Sequence, residues 1–148
     1  QGAEQDTFRD RRTFEDHVRP FDLELFREID ATCAFNILHV CDFEARYADL
    51  APVLQYPGHV VSCSPRFTGG LVPMGELARQ FGRPVMGGMD RLGALASGTS
   101  EQVAADALAV LEKAPSRFIL GADCTVPGSN RWEAIRAAIA TAHAYRRG

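Results

Sequence analysis

Phe35-Asn-Ile-Leu-His-Val40 is a short run, rich in apolar residues, followed at once by Cys41-Asp42. Six residues are too few for a helix of ordinary length, so the run predicts a buried strand. Side chains alternate faces along a strand, so His39 and Cys41, two apart, point the same way. Three further runs repeat the pattern: His59-Val-Val-Ser62, the very short Pro84-Val-Met86 with Gly87-Gly88 behind it, and Arg117-Phe-Ile-Leu120.

Helical patterns fill the intervals. Residues 45–54 read as a helix ending near Tyr56-Pro57-Gly58, and residues 71–81 as one that stops at Gly82. Thr99-Ser-Glu-Gln102 is a capping box, opening a helix whose inner face is Val103, Ala107, Val110 and Leu111. Asn130 is expected to cap the last helix, with Glu133 at N3 and Trp132, Ile135 and Ile139 as its apolar face. Upstream, residues 1–12 read as a tail or severed linker, and residues 13–148 as the folded unit. Thr13 is the expected cap of a first helix, which Pro20 interrupts and restarts at N1. Phe21, Leu25 and Ile29 form its stripe.

The order is a helix, then strand–helix four times. That alternation predicts an α/β fold with a parallel sheet and right-handed crossovers. Four such units make half of a (β/α)8 barrel, which needs about 250 residues in all. They also suit a small, doubly wound open sheet, and periodicity does not separate the two.

Composition narrows the class. Hydrophobic residues make up 46% and charged residues 24% of 148, ordinary values for a globular domain. A net charge of −3 gives no basic footprint for nucleic acid and no polybasic membrane signal. No apolar run approaches the roughly 20 residues of a membrane span, and no signal-peptide core stands at the start. With no initiator Met, the chain is expected to be a fragment or processed form. The four cysteines read as reduced thiols of a cytoplasmic protein, free to ligate metal or to pack as small apolar groups.

Cys124 lies four residues past Leu120, just beyond the fourth strand. Parallel strands end on one side, so His39, Cys41 and Cys124 can converge there. One imidazole and two thiolates suit Zn2+, and three protein ligands leave the fourth position open, the pattern of a catalytic site. The plainer reading keeps the cysteines as small core residues and the histidine as a hydrogen-bonded scaffold. Asp90 and Asp123 are the candidate catalytic carboxylates. Asp90 has three readings: a fourth zinc ligand, an acceptor for His39, or a helix cap. Asp123 and Asp42 flank proposed ligands and could orient them. Gly87 and Gly88 either let a cofactor approach or form a plain turn. Residues 64–70, with Arg66 and Phe67, form a candidate substrate loop. Cys63 is a reserve ligand or a buried small residue, and Cys33, at the opposite end, is given no role.

His39-Val-Cys41, Pro84-Val-Met-Gly-Gly-Met-Asp90, and Phe118-Ile-Leu-Gly-Ala-Asp-Cys-Thr-Val-Pro127 followed by Asn130-Arg-Trp-Glu-Ala-Ile135 together resemble the C-terminal half of the uroporphyrinogen-decarboxylase superfamily. The resemblance runs from about Thr13 to the end and implies the second half of a TIM (β/α)8 barrel. Within that superfamily the H-x-C…C pattern is similar to the zinc motif of the methylcobalamin:thiol methyltransferases. It implies zinc on His39, Cys41 and Cys124, and transfer of a methyl group from a corrinoid (a corrinoid protein or free methylcobalamin) to a small, zinc-bound thiol. Asp42 departs from that branch, which usually has Gly there. The alternatives are a metal-independent uroporphyrinogen decarboxylase, whose tetrapyrrole-binding residues lie mainly in the other half, and a non-catalytic half-barrel. Any half-barrel is expected to need the missing N-terminal half, a homodimer mate or a covering segment.

Overall fold

The computed structural model describes residues 11–42 and 46–146. Two helices, α1 (Arg11–His17) and α2 (Arg19–Thr32), precede strand β1 (Ile37–His39). A 3-10 turn (Ala51–Val53), strand β2 (Val60–Ser62) and a hairpin of β3 (Arg66–Phe67) and β4 (Gly70–Leu71) follow. Next come α3 (Met74–Phe81), β5 (Val85–Met89), α4 (Ala94–Ser97), α5 (Ser100–Lys113), β6 (Phe118–Ala122) and α6 (Trp132–Ala144).

Strands β1, β2, β5 and β6 form one sheet in that order, every pairing parallel. Register then sorts the side chains. Leu38, Val61, Val85 and Phe118 lie level across the four strands, and all four belong to the core that holds Leu77 and Phe81 of α3. Further along, Met89, Leu120 and Ala122 pack with Val103 and Ala107 of α5 and Ala134 and Ala138 of α6. Phe14 and Phe26, from α1 and α2, join the first core beside Leu38 and Val40. These helices all cover the same face. The next residues across the sheet, His39, Ser62, Met86 and Ile119, point to the other face, where Ile37 and Ile119 are exposed. Helices on one face only are the wall of a barrel, whereas a doubly wound sheet carries them on both.

Several local expectations need correction. Thr13 lies inside α1 rather than at its N-cap. Pro20 does open α2, but Phe21 and Leu25 are exposed, and Val18, Leu23 and Phe26 meet the core instead. Of the helix expected over 45–54, its first residue lies outside the described residues and the rest forms only the 3-10 turn. Pro52 cannot sit inside a helix, where its ring meets the carbonyl four residues back. Tyr47 is meanwhile drawn to the sheet end: its hydroxyl donates to the Val40 carbonyl at 2.6 Å and accepts from the Ser64 N–H at 3.2 Å.

Leu71 belongs to the hairpin, and α3 starts after Pro73; a residue before proline, here Val72, is biased away from helix. Gly82 ends α3 with φ +65°, as expected. Gly87 and Gly88 form no turn but extend β5 to Met89. The Thr99–Gln102 capping box forms as read. Asn130 is not a cap: Arg131 holds that position, and the Asn130 amide donates to the Leu95 carbonyl at 3.0 Å. The buried face of α6 is alanine, and Trp132 and Ile139 face solvent. Among the described residues no helix is long and apolar enough to cross a membrane.

Candidate metal centre

His39 ends β1, Cys41 lies two residues beyond it, and Cys124 lies two beyond the end of β6. All three stand at the C-terminal mouth, where barrel chemistry is built. One donor atom from each lies within 4.8 Å of the others, and among the described residues this is the only such group of His, Cys, Asp and Glu. The Cys41 and Cys124 sulfurs are 3.5 Å apart, and Cys124 Sγ is 3.6 Å from His39 Nε2. Around a tetrahedral zinc, with S at about 2.3 Å and N at about 2.0 Å, donors stand about 3.5–3.8 Å apart. The two measured edges fit that figure.

Two strands separate β1 from β6. In a flat sheet three spacings of about 4.8 Å would hold them about 14 Å apart. The sulfurs meet because the strand ends and the segments after them bend inward, as a barrel wall requires.

Ser62, level with His39 on β2, turns its hydroxyl to His39 Nδ1 at 3.1 Å. That bond fixes the ring and leaves Nε2 for the thiol side. Asp90, one of the two expected catalytic carboxylates, does not take this place. It accepts from the Leu92 N–H at 2.8 Å and pairs with Arg66, which makes it a turn-forming residue outside the donor group. Burial works to raise its pKa, but the Leu92 N–H and Arg66 outweigh that and hold it below the ordinary value.

Asp123 is fully buried. Its Oδ1 accepts from the Arg91 N–H at 3.0 Å. Its Oδ2 accepts no hydrogen bond among the described residues and faces Arg66 Nε at 3.6 Å. Asp42, also buried, accepts from Arg91 Nη1 at 2.8 Å. Burial would lower the Arg91 pKa; Asp42, then Asp123 and Cys124, more than offset this and raise it. Sequence reasoning missed Ser62 and Arg91. Neither carries a signal of its own, since each matters through a partner that only strand register or the fold supplies.

Cys63 follows Ser62 and so turns to the opposite, helix-covered face, where it is fully buried among the core residues. Burial, with Asp42 adding to it, pushes its thiol up to about 12. Cys33 caps the end of α2 and is exposed. A side chain at Gly87 would come within 2.8 Å of the Cys63 carbonyl, and one at Gly88 within 2.5 Å of Val110. Packing therefore gives both a reason to be glycine. The 64–70 loop is largely the β3–β4 hairpin, held to Tyr47 by the Thr68 N–H at 2.9 Å.

An arc of parallel barrel wall with imidazole and thiols at its mouth defines the class: a (β/α)8-type domain with a metal-competent site. The chain belongs to the uroporphyrinogen decarboxylase (URO-D) family, whose family model matches residues 7–145. Among solved structures it is similar to a methyltransferase from Methanosarcina mazei, at 15% identity and a TM-score of 0.59. That match covers 87% of this chain and 36% of the other, so the chain spans about a third of that protein's length. No curated protein matches it significantly.

Proposed function

We propose that His39, Cys41 and Cys124 bind one Zn2+, and that this chain carries the metal centre of a methyltransferase that moves a methyl group from a corrinoid to a thiol. The observation that carries this reading is the convergence of three donors, 85 residues apart in sequence at their widest, within 4.8 Å of one another, with both edges at Cys124 at tetrahedral spacing. Two thiolates and a neutral imidazole balance the charge of Zn2+, which leaves room for one more anionic ligand. Zinc held there would act as a Lewis acid, deprotonating a thiol that coordinates it.

The chain's own residues do the rest. Ser62 holds the His39 ring, and the segments carrying Cys41 and Cys124 bring both thiols beside it at the mouth. An acceptor thiol held there would lose its proton to solvent, and its sulfur would be placed for in-line attack on a methyl carbon. In such a transfer the S–C bond would form as the Co–C bond breaks, with the bond's electron pair left on the corrinoid. No group here need act as general base, in keeping with the pairing of Asp90 with Arg66 and the burial of Asp123 beside Arg66 and Arg91.

The test is metal content. Protein purified without chelator is expected to hold one zinc per chain, and Cys124→Ala to hold none. A wild-type chain without metal overturns the reading. A second reading, metal-independent decarboxylation of a tetrapyrrole, draws on the family match; it requires turnover to survive both chelation and Cys41→Ser. On either reading we propose that the rest of a longer barrel covers the open face and supplies the substrate-selecting residues.

A further inference from the structure

Arg91 stands between the two segments that carry the thiols and bonds to the residue beside each. Its Nη1 donates to Asp42 Oδ1 at 2.8 Å, and Asp42 directly follows Cys41. Its backbone N–H donates to Asp123 Oδ1 at 3.0 Å, with Nη1 3.8 Å from the same oxygen, and Asp123 directly precedes Cys124. Arg66 approaches the other oxygen of Asp123. Arg91, Asp42 and Asp123 are all buried. A buried ion pair adds little net stability over an apolar replacement, but separating its members strands a buried charge at much greater cost, which favours conformations that keep Asp42, Arg91 and Asp123 together. The tie runs from Asp42 to Asp123, 81 residues apart, across two intervening strands.

We propose that Arg91 is a positioning residue for the metal centre: through Asp42 and Asp123 it holds Cys41 and Cys124 at the separation that a single metal ion spans. The inference rests on the metal-centre reading above for its purpose. The geometry it explains, the pairing of two sulfurs 3.5 Å apart, does not depend on which ion binds. It also accounts for Asp42 at a position where glycine would leave Arg91 Nη1 without this carboxylate.

Two readouts on the full chain test it. The first is cross-linking in metal-free protein treated with diamide, which takes two hydrogens from a thiol pair, leaving a disulfide and a hydrazine. The rate of the Cys41–Cys124 link is followed by peptide mass. The second is zinc affinity, by competition with a chromophoric chelator. Arg91→Met is expected to slow the cross-link and to weaken zinc binding about 10- to 100-fold, with unchanged circular dichroism. Arg91→Lys, which keeps the charge but not the fork, should recover part of both. If Arg91→Met does not fold, Asp42→Asn carries the same comparison. A folded variant with wild-type cross-linking and wild-type zinc affinity overturns the proposal and leaves the metal centre standing. Arg91-dependent cross-linking in a wild-type chain that binds no zinc does the reverse.

Discussion

Ser62 decides which nitrogen of His39 is free. Its hydroxyl occupies Nδ1, and Nε2 is the atom 3.6 Å from Cys124 Sγ. Removing such a partner typically costs a zinc site about 10- to 100-fold in affinity. Ser62→Ala should show that loss by chelator competition, with the fold intact; unchanged affinity would mean that the ring is held by other contacts. The cysteines divide by the same strand geometry. Cys63, turned into the core with its thiol pushed to about 12, should resist iodoacetamide near neutral pH while exposed Cys33 reacts; equal alkylation by peptide mapping would contradict its placement. His39 and Cys41 were legible as a pair because period two needs no fold. Cys63 became legible only once Ser62 was known to face His39, and Arg91 not at all, because nothing in its neighbours marks an arginine that ties two aspartates 81 residues apart.

Elements whose limits are set by local chemistry form where the sequence puts them. The Thr99–Gln102 box caps α5, with Thr99 Oγ1 accepting from the Gln102 N–H and the Gln102 side chain accepting from the Thr99 N–H. Thr99→Ala should cost about 1 kcal/mol of stability in urea denaturation. Elements decided by tertiary partners were not legible. Residues 46–54 have a helix-like apolar content, yet Tyr47 finds better partners at the ends of β1 and β2. Trp132 and Ile139 look like the inner face of α6, but that helix packs on α5 through alanines, and the bulky residues are left outside. Gly88 shows the same dependence. Its φ of +94° and the 2.5 Å approach of a would-be Cβ to Val110 predict that Gly88→Ala destabilises by more than about 1 kcal/mol. Part of that loss should return in the Val110→Ala background. A penalty unchanged by Val110→Ala would assign the whole effect to backbone strain.

For the whole molecule, the described sheet carries helices on one face, as a barrel wall does, and has two unpaired edges that a closed barrel would not. Among the described residues no strand pairs with the outer side of β1 or β6, and Ile37 and Ile119 of those edge strands stand exposed on the face away from the helices, while Val60 and Ser62 on β2 are buried. Free parallel edges and an apolar face invite association. A barrel removes both by closing on itself, and the Methanosarcina methyltransferase that this chain is similar to is long enough to do so, since the chain spans 36% of it. The α/β class was legible from alternation alone. The choice between barrel wall and doubly wound sheet was not, because buried strands read alike in both, and only the one-sided helix layer separates them. The 148 residues alone should therefore self-associate, giving a mass above 16.2 kDa by light scattering after size exclusion. Ile119→Lys, a charge placed on the open face away from the helix-covered core, should reduce that association without loss of helical signal. A monodisperse 16.2 kDa species that binds no hydrophobic dye would show instead that the chain covers this face by itself, and would remove the need for a complementary half.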